Sequence, residues 1–255
     1  MNLNLTADIA LNYKSPSQKI RIISESWVDS QIYCPSCGNI IKKYENNKPV
    51  ADFYCLECKE QFELKSKKNQ IGSKIVDGAY QTTIDRLKSD SNPNLFLLNY
   101  SPQNLGVMNF FVIPKHFFTP NIIEKRKPLS TNARRAGWIG CNIIFQRIPS
   151  TGKIFYIKNK CIERKENVLR DWKKTLFLRD EKETKAKGWI LDIMNCIDMI
   201  GKNAFYLDDI YKFESFLQQK HPSNRHIKDK IRQQLQFLRN KGYLEFIGQG
   251  RYRLI

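Results

Sequence analysis

The stretch Ala51-Asp52-Phe53-Tyr54-Cys55-Leu56-Glu57-Cys58-Lys59-Glu60-Gln61-Phe62-Glu63-Leu64-Lys65 decides how this chain is read. Glu63 and Lys65 are two residues apart, so on a strand both project to one face while Phe62 and Leu64 project to the other. Asp52 stands eleven positions before Glu63, enough for a hairpin to set two strands side by side. An Asp and a Glu meeting on adjacent strands make a hard oxygen site suited to Mg²⁺, completed by waters and phosphate oxygens. An ammonium beside it positions a water and offsets developing negative charge.

The tripeptide alone is weak evidence. Glu-x-Lys occurs at Glu57/Lys59, Glu63/Lys65, Glu163/Lys165 and Glu183/Lys185, and a solvated surface accounts for the last two. Only Glu63/Lys65 combines alternating apolar neighbours with an upstream Asp on a plausible partner strand. Asp52, Glu63 and Lys65 in this spacing resemble the PD-(D/E)xK nuclease signature; structural ion pairs are the competing reading of the pattern. No G-x-x-x-x-G-K-[ST] loop is present, so no ATP-driven step is expected. Three scattered histidines and no G-x-S-x-G argue against a hydrolase triad.

Interleaved with these residues are Cys34-Pro35-Ser36-Cys37 and Cys55-Leu56-Glu57-Cys58, with 17 residues between the pairs. That spacing fits a zinc ribbon. Four thiolates from Cys34, Cys37, Cys55 and Cys58 fill a tetrahedral sphere, which makes the expected Zn²⁺ structural. Unrelated buried thiols or a redox C-x-x-C are the alternatives. Cys141, Cys161 and Cys196 sit in apolar or isolated contexts and read as core residues.

Around this centre the chain reads as an α/β (mixed) nuclease-type core over residues 1–182 and a smaller module over 183–255. Ser17 to Ile32 has helical spacing, with Ser17 as the expected N-cap. Asn94–Tyr100, Val107–Ile113 and Ile154–Ile157 read as strands, and Asp77–Leu87 as a helix between strands. The polar run Arg179–Gly188 marks the break. Beyond it, Trp189–Ile200, Leu207–Leu217 and a segment from Pro222 to Lys241 read as three helices. The turn Gly248-Gln249-Gly250 then joins Tyr243–Ile247 to Arg251–Ile255 as a hairpin. Three helices and a basic hairpin are the layout of a winged helix.

In 255 residues, 43 Lys+Arg face 25 Asp+Glu, a net charge of +18. Such a surplus favours a polyanion, nucleic acid before membrane. No apolar run is long enough to span a bilayer, and Met1 to Asp8 has no signal-peptide pattern, so the cytoplasm is the expected location. The 41% hydrophobic content argues against disorder.

The last expected helix buries Ile227, Ile231, Leu235 and Leu238 and shows Arg225, Lys228, Asp229, Arg232, Gln233 and Gln236 on its other face. Basic and amide side chains of this kind read base edges in a major groove, with Gln249, Arg251 and Arg253 beside the backbone. A solvated helical face is the alternative. The loop Asn132 to Cys141 carries Arg134, Arg135 and Trp138, suited to phosphates and a flat base, or to a core Trp with surface arginines.

These segments together resemble the DpnI-type restriction endonuclease family along essentially the whole chain. The likeness is carried by Tyr33–Gly38, Pro49–Cys55, Phe62–Lys68, Arg134–Asn142 and His226–Leu235. It implies a PD-(D/E)xK domain with structural zinc, a winged helix, and cleavage of double-stranded DNA at GATC only when the adenine carries a 6-methyl group. It also implies Asp52, Glu63 and Lys65 as the catalytic set, and a monomer. Mg²⁺ would be held by Asp52, Glu63 and the Leu64 carbonyl, and DNA by Arg134, Arg135, Trp138, Arg225, His226, Lys228, Arg232, Gln233, Gln249, Arg251 and Arg253. A non-enzymatic winged-helix regulator, or a nuclease for damaged or branched DNA, are the competing functions.

Overall fold

A computed structural model describes residues 1–45, 51–89, 91–181 and 183–255. Pro49 and Val50 of the quoted segments, and Lys182 at the expected domain boundary, lie outside the described residues. The chain forms two compact units, Met1–Gln146 with Thr151–Thr175, and Arg147–Ser150 with Leu176–Ile255.

The first unit contains α1 (Pro16–Gln31), β1 (Ile41–Lys43), β2 (Phe53–Cys55), β3 (Gln61–Lys68), β4 (Lys74–Ala79), α2 (Tyr80–Lys88), β5 (Asn94–Tyr100), β6 (Val107–Ile113), β7 (Ile123–Lys125), β8 (Gly140–Ile144), β9 (Ile154–Lys158), β10 (Cys161–Ile162) and α3 (Lys165–Thr175). Among the described residues a seven-stranded sheet runs β1-β2-β3-β5-β6-β9-β10, and a second, three-stranded sheet runs β4-β8-β7. At the centre of the large sheet, Asn94–Asn99 are all buried, as expected of a strand covered on both faces. It pairs in parallel with β3, Glu63 opposite Leu95 and Lys65 opposite Leu97. A parallel pair needs a crossover, and β4 with α2 supplies it. Aromatic rings hold this centre: Phe62 stacks on Phe96 at 4.4 Å, and Phe110 lies tilted 5.2 Å from Phe96 and edge-on 5.3 Å from Trp27 of α1.

Several expectations shift. Helix α1 takes Ser15, not Ser17, at its N-cap, because Pro16 occupies the first turn, where its missing N–H costs nothing. Asp77 lies on β4 rather than in a helix, which begins at Tyr80. Cys141 and Cys196 are buried, whereas Cys161 on β10 is exposed.

The second unit contains α4 (Thr184–Ile200), β11 (Ala204–Tyr206), α5 (Leu207–Tyr211), α6 (Glu214–Lys220), α7 (Ile227–Asn240), β12 (Leu244–Gly248) and β13 (Arg251–Leu254). The expected helix Leu207–Leu217 divides into α5 and α6, and the last helix begins at Ile227, with Asn224 Oδ1 accepting from the His226 N–H at 2.8 Å. Ile227, Ile231, Leu235 and Leu238 are buried as the periodicity requires. The wing is the sheet β11-β13-β12, closed by Gly248, Gln249 and Gly250, all at positive φ. Arg147–Ser150 joins this unit through Asp198, whose carboxylate accepts from the Ser150 N–H at 2.6 Å and from its hydroxyl at 2.7 Å.

Candidate active site and its surroundings

Strands β2 and β3 pair through Phe53 with Phe62 and Tyr54 with Gln61, and the Asp52 N–H donates to the Phe62 carbonyl at 2.9 Å. Beyond that point β3 has no strand on this side among the described residues. The Asp52 carboxylate takes the vacant pairing position, Oδ2 accepting from the Leu64 N–H at 2.7 Å. The sheet edge therefore opens where Asp52, Glu63 and the Leu64 backbone meet. All three line a cleft of about 530 Å³ with Ser17, Ile20, Arg21, Glu25, Ala51, Ser66 and Arg86.

Burial raises the Asp52 carboxyl above its usual range; the Leu64 N–H opposes this, Glu25 and Glu63 add to it, and Arg21 subtracts. A carboxyl whose proton affinity is raised by burial and by neighbouring carboxylates, standing in an open cleft, is chemically suited to a hard divalent cation. On the same face of β3 as Glu63, Lys65 Nζ lies 2.8 Å from Glu63 Oε1 and 2.7 Å from Asp77 Oδ1. Burial works against the Lys65 ammonium, but Glu63 and Asp77 outweigh it and hold its pKa above the ordinary lysine value.

Asp77, Arg21 and Glu25 escaped the sequence reading. Asp77 was assigned to a helix, and α1 was read for its apolar stripe alone. Ser17, Arg21 and Glu25 are four apart, a spacing that marks one helix face and was available to find them.

The four cysteines expected to bind zinc converge. Cys34 Sγ is 3.3 Å from Cys58 Sγ, Cys37 Sγ is 3.4 Å from Cys55 Sγ, and all four sulfurs lie within 4.8 Å of one another. A tetrahedron with 2.3 Å metal–sulfur bonds has edges of about 3.8 Å, so the cluster fits one Zn²⁺. Each pair is followed by a residue at positive φ, Gly38 at +78° and Lys59 at +59°, and each first cysteine carbonyl accepts from that residue's N–H, at 2.8 and 3.1 Å. The two knuckles are alike, and the second lies three residues after Asp52. Burial pushes the Cys34 thiol up, so without a cation its thiolate would be costly.

The expected DNA-facing residues divide between the units. Arg134 and Arg135 are exposed in the loop between β7 and β8, and Trp138 is half-buried. Arg135 Cζ lies 5.9 Å from the Trp138 ring. A Cβ on Gly140 would come within 2.7 Å of that ring, so glycine lets the indole lie against the backbone. The loop adjoins the site through β8: Cys141 pairs with Asp77.

In the second unit the basic residues have acidic or aromatic partners that the sequence reading left out. Arg232 lies 2.7 Å from Asp229, Lys228 3.5 Å from Glu214, and Arg253 2.5 Å from Glu245. Arg251 packs 5.6 Å from the Tyr206 ring, and Gln233 Oε1 accepts from Lys230 at 2.7 Å. His226, Arg225 and Gln249 are not drawn into the interior; His226 is exposed at the N-cap of α7, and Gln249 stands at the wing tip.

An α/β core that sets an Asp, a Glu and a Lys at an open sheet edge, followed by a winged helix, defines a nuclease with a separate DNA-binding module. A model of the Dam-replacing family, DpnI, matches residues 1–181, and one of the Dam-replacing HTH domain matches residues 185–254. The chain belongs to the DpnI (Dam-replacing) family. No helix among the described residues is long and apolar enough to cross a membrane.

Proposed function

We propose that this protein is a methyl-directed restriction endonuclease that hydrolyses both strands of GATC in double-stranded DNA when the adenine is 6-methylated. The carrying observation is the junction of Asp52, Glu63, Leu64 and Lys65 at the bare edge of β3, inside an open cleft. Asp52, Glu63 and the Leu64 carbonyl would hold Mg²⁺, which when bound supplies charge neutralisation on the scissile phosphate. Lys65, kept protonated between Glu63 and Asp77, donates a hydrogen bond to the attacking water and offsets charge developing in flight. Water oxygen forms the new bond to phosphorus in line with the breaking P–O3′ bond. The products are a 5′-phosphate and a 3′-hydroxyl.

Discrimination rests on two readers. One methyl group in an apolar pocket contributes about 0.8 kcal/mol, up to roughly 1–3 with good packing. The palindrome carries one methyl per strand, and reading it in both units adds these terms, with tethering helping the second contact. Trp138, flat against Gly140, forms a wall of the first unit's methyl pocket. Arg225, His226, Lys228, Arg232 and Gln233 of the second unit face bases and phosphates, with Gln249, Arg251 and Arg253 on the backbone and Arg134 and Arg135 gripping phosphates in the first. The enzyme acts as a monomer in the cytoplasm.

The deciding experiment incubates adenine-methylated and unmethylated plasmid with the protein and Mg²⁺. Linear fragments from the methylated plasmid alone are expected. A gel shift without cutting would instead indicate a regulator, and cutting of both plasmids at damaged or branched sites a repair nuclease. Trp138→Ala is expected to narrow the methylated-to-unmethylated ratio by about tenfold; an unchanged ratio removes Trp138 from the pocket.

A further inference from the structure

Helix α1 brings a charged group to the cleft that the catalytic reading does not use. The Ser66 hydroxyl donates to Ser24 Oγ at 2.7 Å, clamping the helix to β3 and turning Ser17, Arg21 and Glu25 toward Asp52. The Glu25 side chain is 3% exposed, with Oε1 2.5 Å from Arg21 Nε and Oε2 2.7 Å from Lys43 Nζ. The carboxylate faces two cations; its Oε1 holds the guanidinium by the Nε edge, while Oε2 pairs with Lys43 by charge without a hydrogen bond. The opposite edge remains in the cleft, Nη2 at 4.0 Å from Asp52 Oδ1, and the Arg21 side chain as a whole is 60% exposed.

Charge counting gives this arrangement a purpose. Arg21, Lys43, Lys65 and Arg86 stand against Glu25, Asp52, Glu63 and Asp77, a formally neutral set. One divalent cation makes it net positive, which suits a phosphodiester. Arg21 is one of two arginines in the cleft, and its charge adds to that of a bound cation in drawing a phosphate.

We propose that Arg21 grips a non-bridging oxygen of a GATC phosphate in the cleft, and that Glu25 is the positioning residue that presents its guanidinium. The inference rests on the nuclease reading of the Asp52 site. Guanidinium suits the task because it can serve Glu25 on one edge and phosphate on the other, which an ammonium cannot do in the same geometry.

The test walks a neutral methylphosphonate through the phosphates of a methylated GATC duplex and measures binding in Ca²⁺, beside single-turnover cleavage of the unmodified duplex in Mg²⁺. In the wild-type protein each contacted phosphate is expected to lose affinity when neutralised, the one held by Arg21 by about tenfold. Arg21→Ala loses sensitivity at that position alone and cuts roughly 10–100-fold more slowly. Arg21→Lys recovers only part of the loss, and Glu25→Gln resembles Arg21→Ala, the two changes together costing no more than one. Arg21→Lys keeps a cation beside the buried Glu25 and so controls for any stability lost in Arg21→Ala, and the position-specific methylphosphonate profile decides the matter even if Glu25→Gln unfolds. An identical methylphosphonate profile in wild type and Arg21→Ala overturns the proposal, as does a Glu25→Gln effect confined to the Mg²⁺ requirement, which would make Glu25 a metal ligand. Lys65→Ala run in parallel separates the readings. If it still cuts, the site itself is misassigned; if it is inert while Arg21→Ala behaves as wild type, only Arg21 is.

Discussion

Lys65 sits between two carboxylates at 2.7 and 2.8 Å, and this sandwich defines what it can do. Held protonated, it serves as hydrogen-bond donor and counter-charge. Lys65→Ala is therefore expected to lower cleavage by at least about 10³-fold while DNA affinity changes less than threefold, measured by single-turnover cutting and gel shift. Asp52 carries the opposite burden. Its folded pKa is raised, so between the ordinary carboxyl value and the raised one the folded protein binds more protons than the unfolded chain. Stability of the metal-free protein therefore falls as pH rises through that window. Asp52→Asn is expected to be inactive yet about 1 kcal/mol more stable at neutral pH without metal, seen as a higher melting temperature. A lower one would show that the charge stabilises the fold. In the active enzyme the acid limb of the pH profile should move to lower pH as Mg²⁺ is increased, because proton and metal compete for Asp52.

At the scale of elements, the two cysteine knuckles stand at the end of β2 and α1, where Tyr33 bridges Ile40 and Ile41 pairs with Cys55. Zinc there would fix β2 against β3 and so fix where Asp52 leaves the sheet. One zinc per chain is expected on metal analysis. Cys58→Ser, or treatment with a strong chelator, should cost the first unit more than about 3 kcal/mol and abolish cleavage. A metal-free protein that melts and cuts normally would show the cluster to be dispensable. The wing shows the same economy of residues in a different way: positive φ through Gly248, Gln249 and Gly250 turns β12 into β13, carrying Arg251 beside Tyr206.

Over the whole molecule the net charge of +18 is an attraction without information, because phosphate contacts position a protein but do not read sequence. Binding should weaken with salt at a slope of about 0.9 per phosphate contact. Arg251→Ala is expected to reduce that slope by about one for methylated and unmethylated DNA alike; a selective effect on methylated DNA would instead make Arg251 a base reader. Arg232 and Arg253 are held by Asp229 and Glu245, so they must exchange partners to reach DNA.

The chain's own pattern determined the mixed α/β core, the winged helix, the four converging cysteines and the Asp52-Glu63-Lys65 spacing. These are local facts: strand alternation, helical periodicity and ligand spacing are written in neighbouring residues. Tertiary structure alone decided the rest. Asp77 meets Lys65 only because the crossover strand β4, part of the second sheet, carries it back toward β3. Arg21 and Glu25 come near Asp52 only because α1 packs on the sheet, through Trp27 against Phe110 and the Ser24–Ser66 hydrogen bond. The Glu25–Lys43, Lys65–Asp77 and Ser24–Ser66 contacts join residues distant in sequence, and no local period encodes which distant charge will neutralise another.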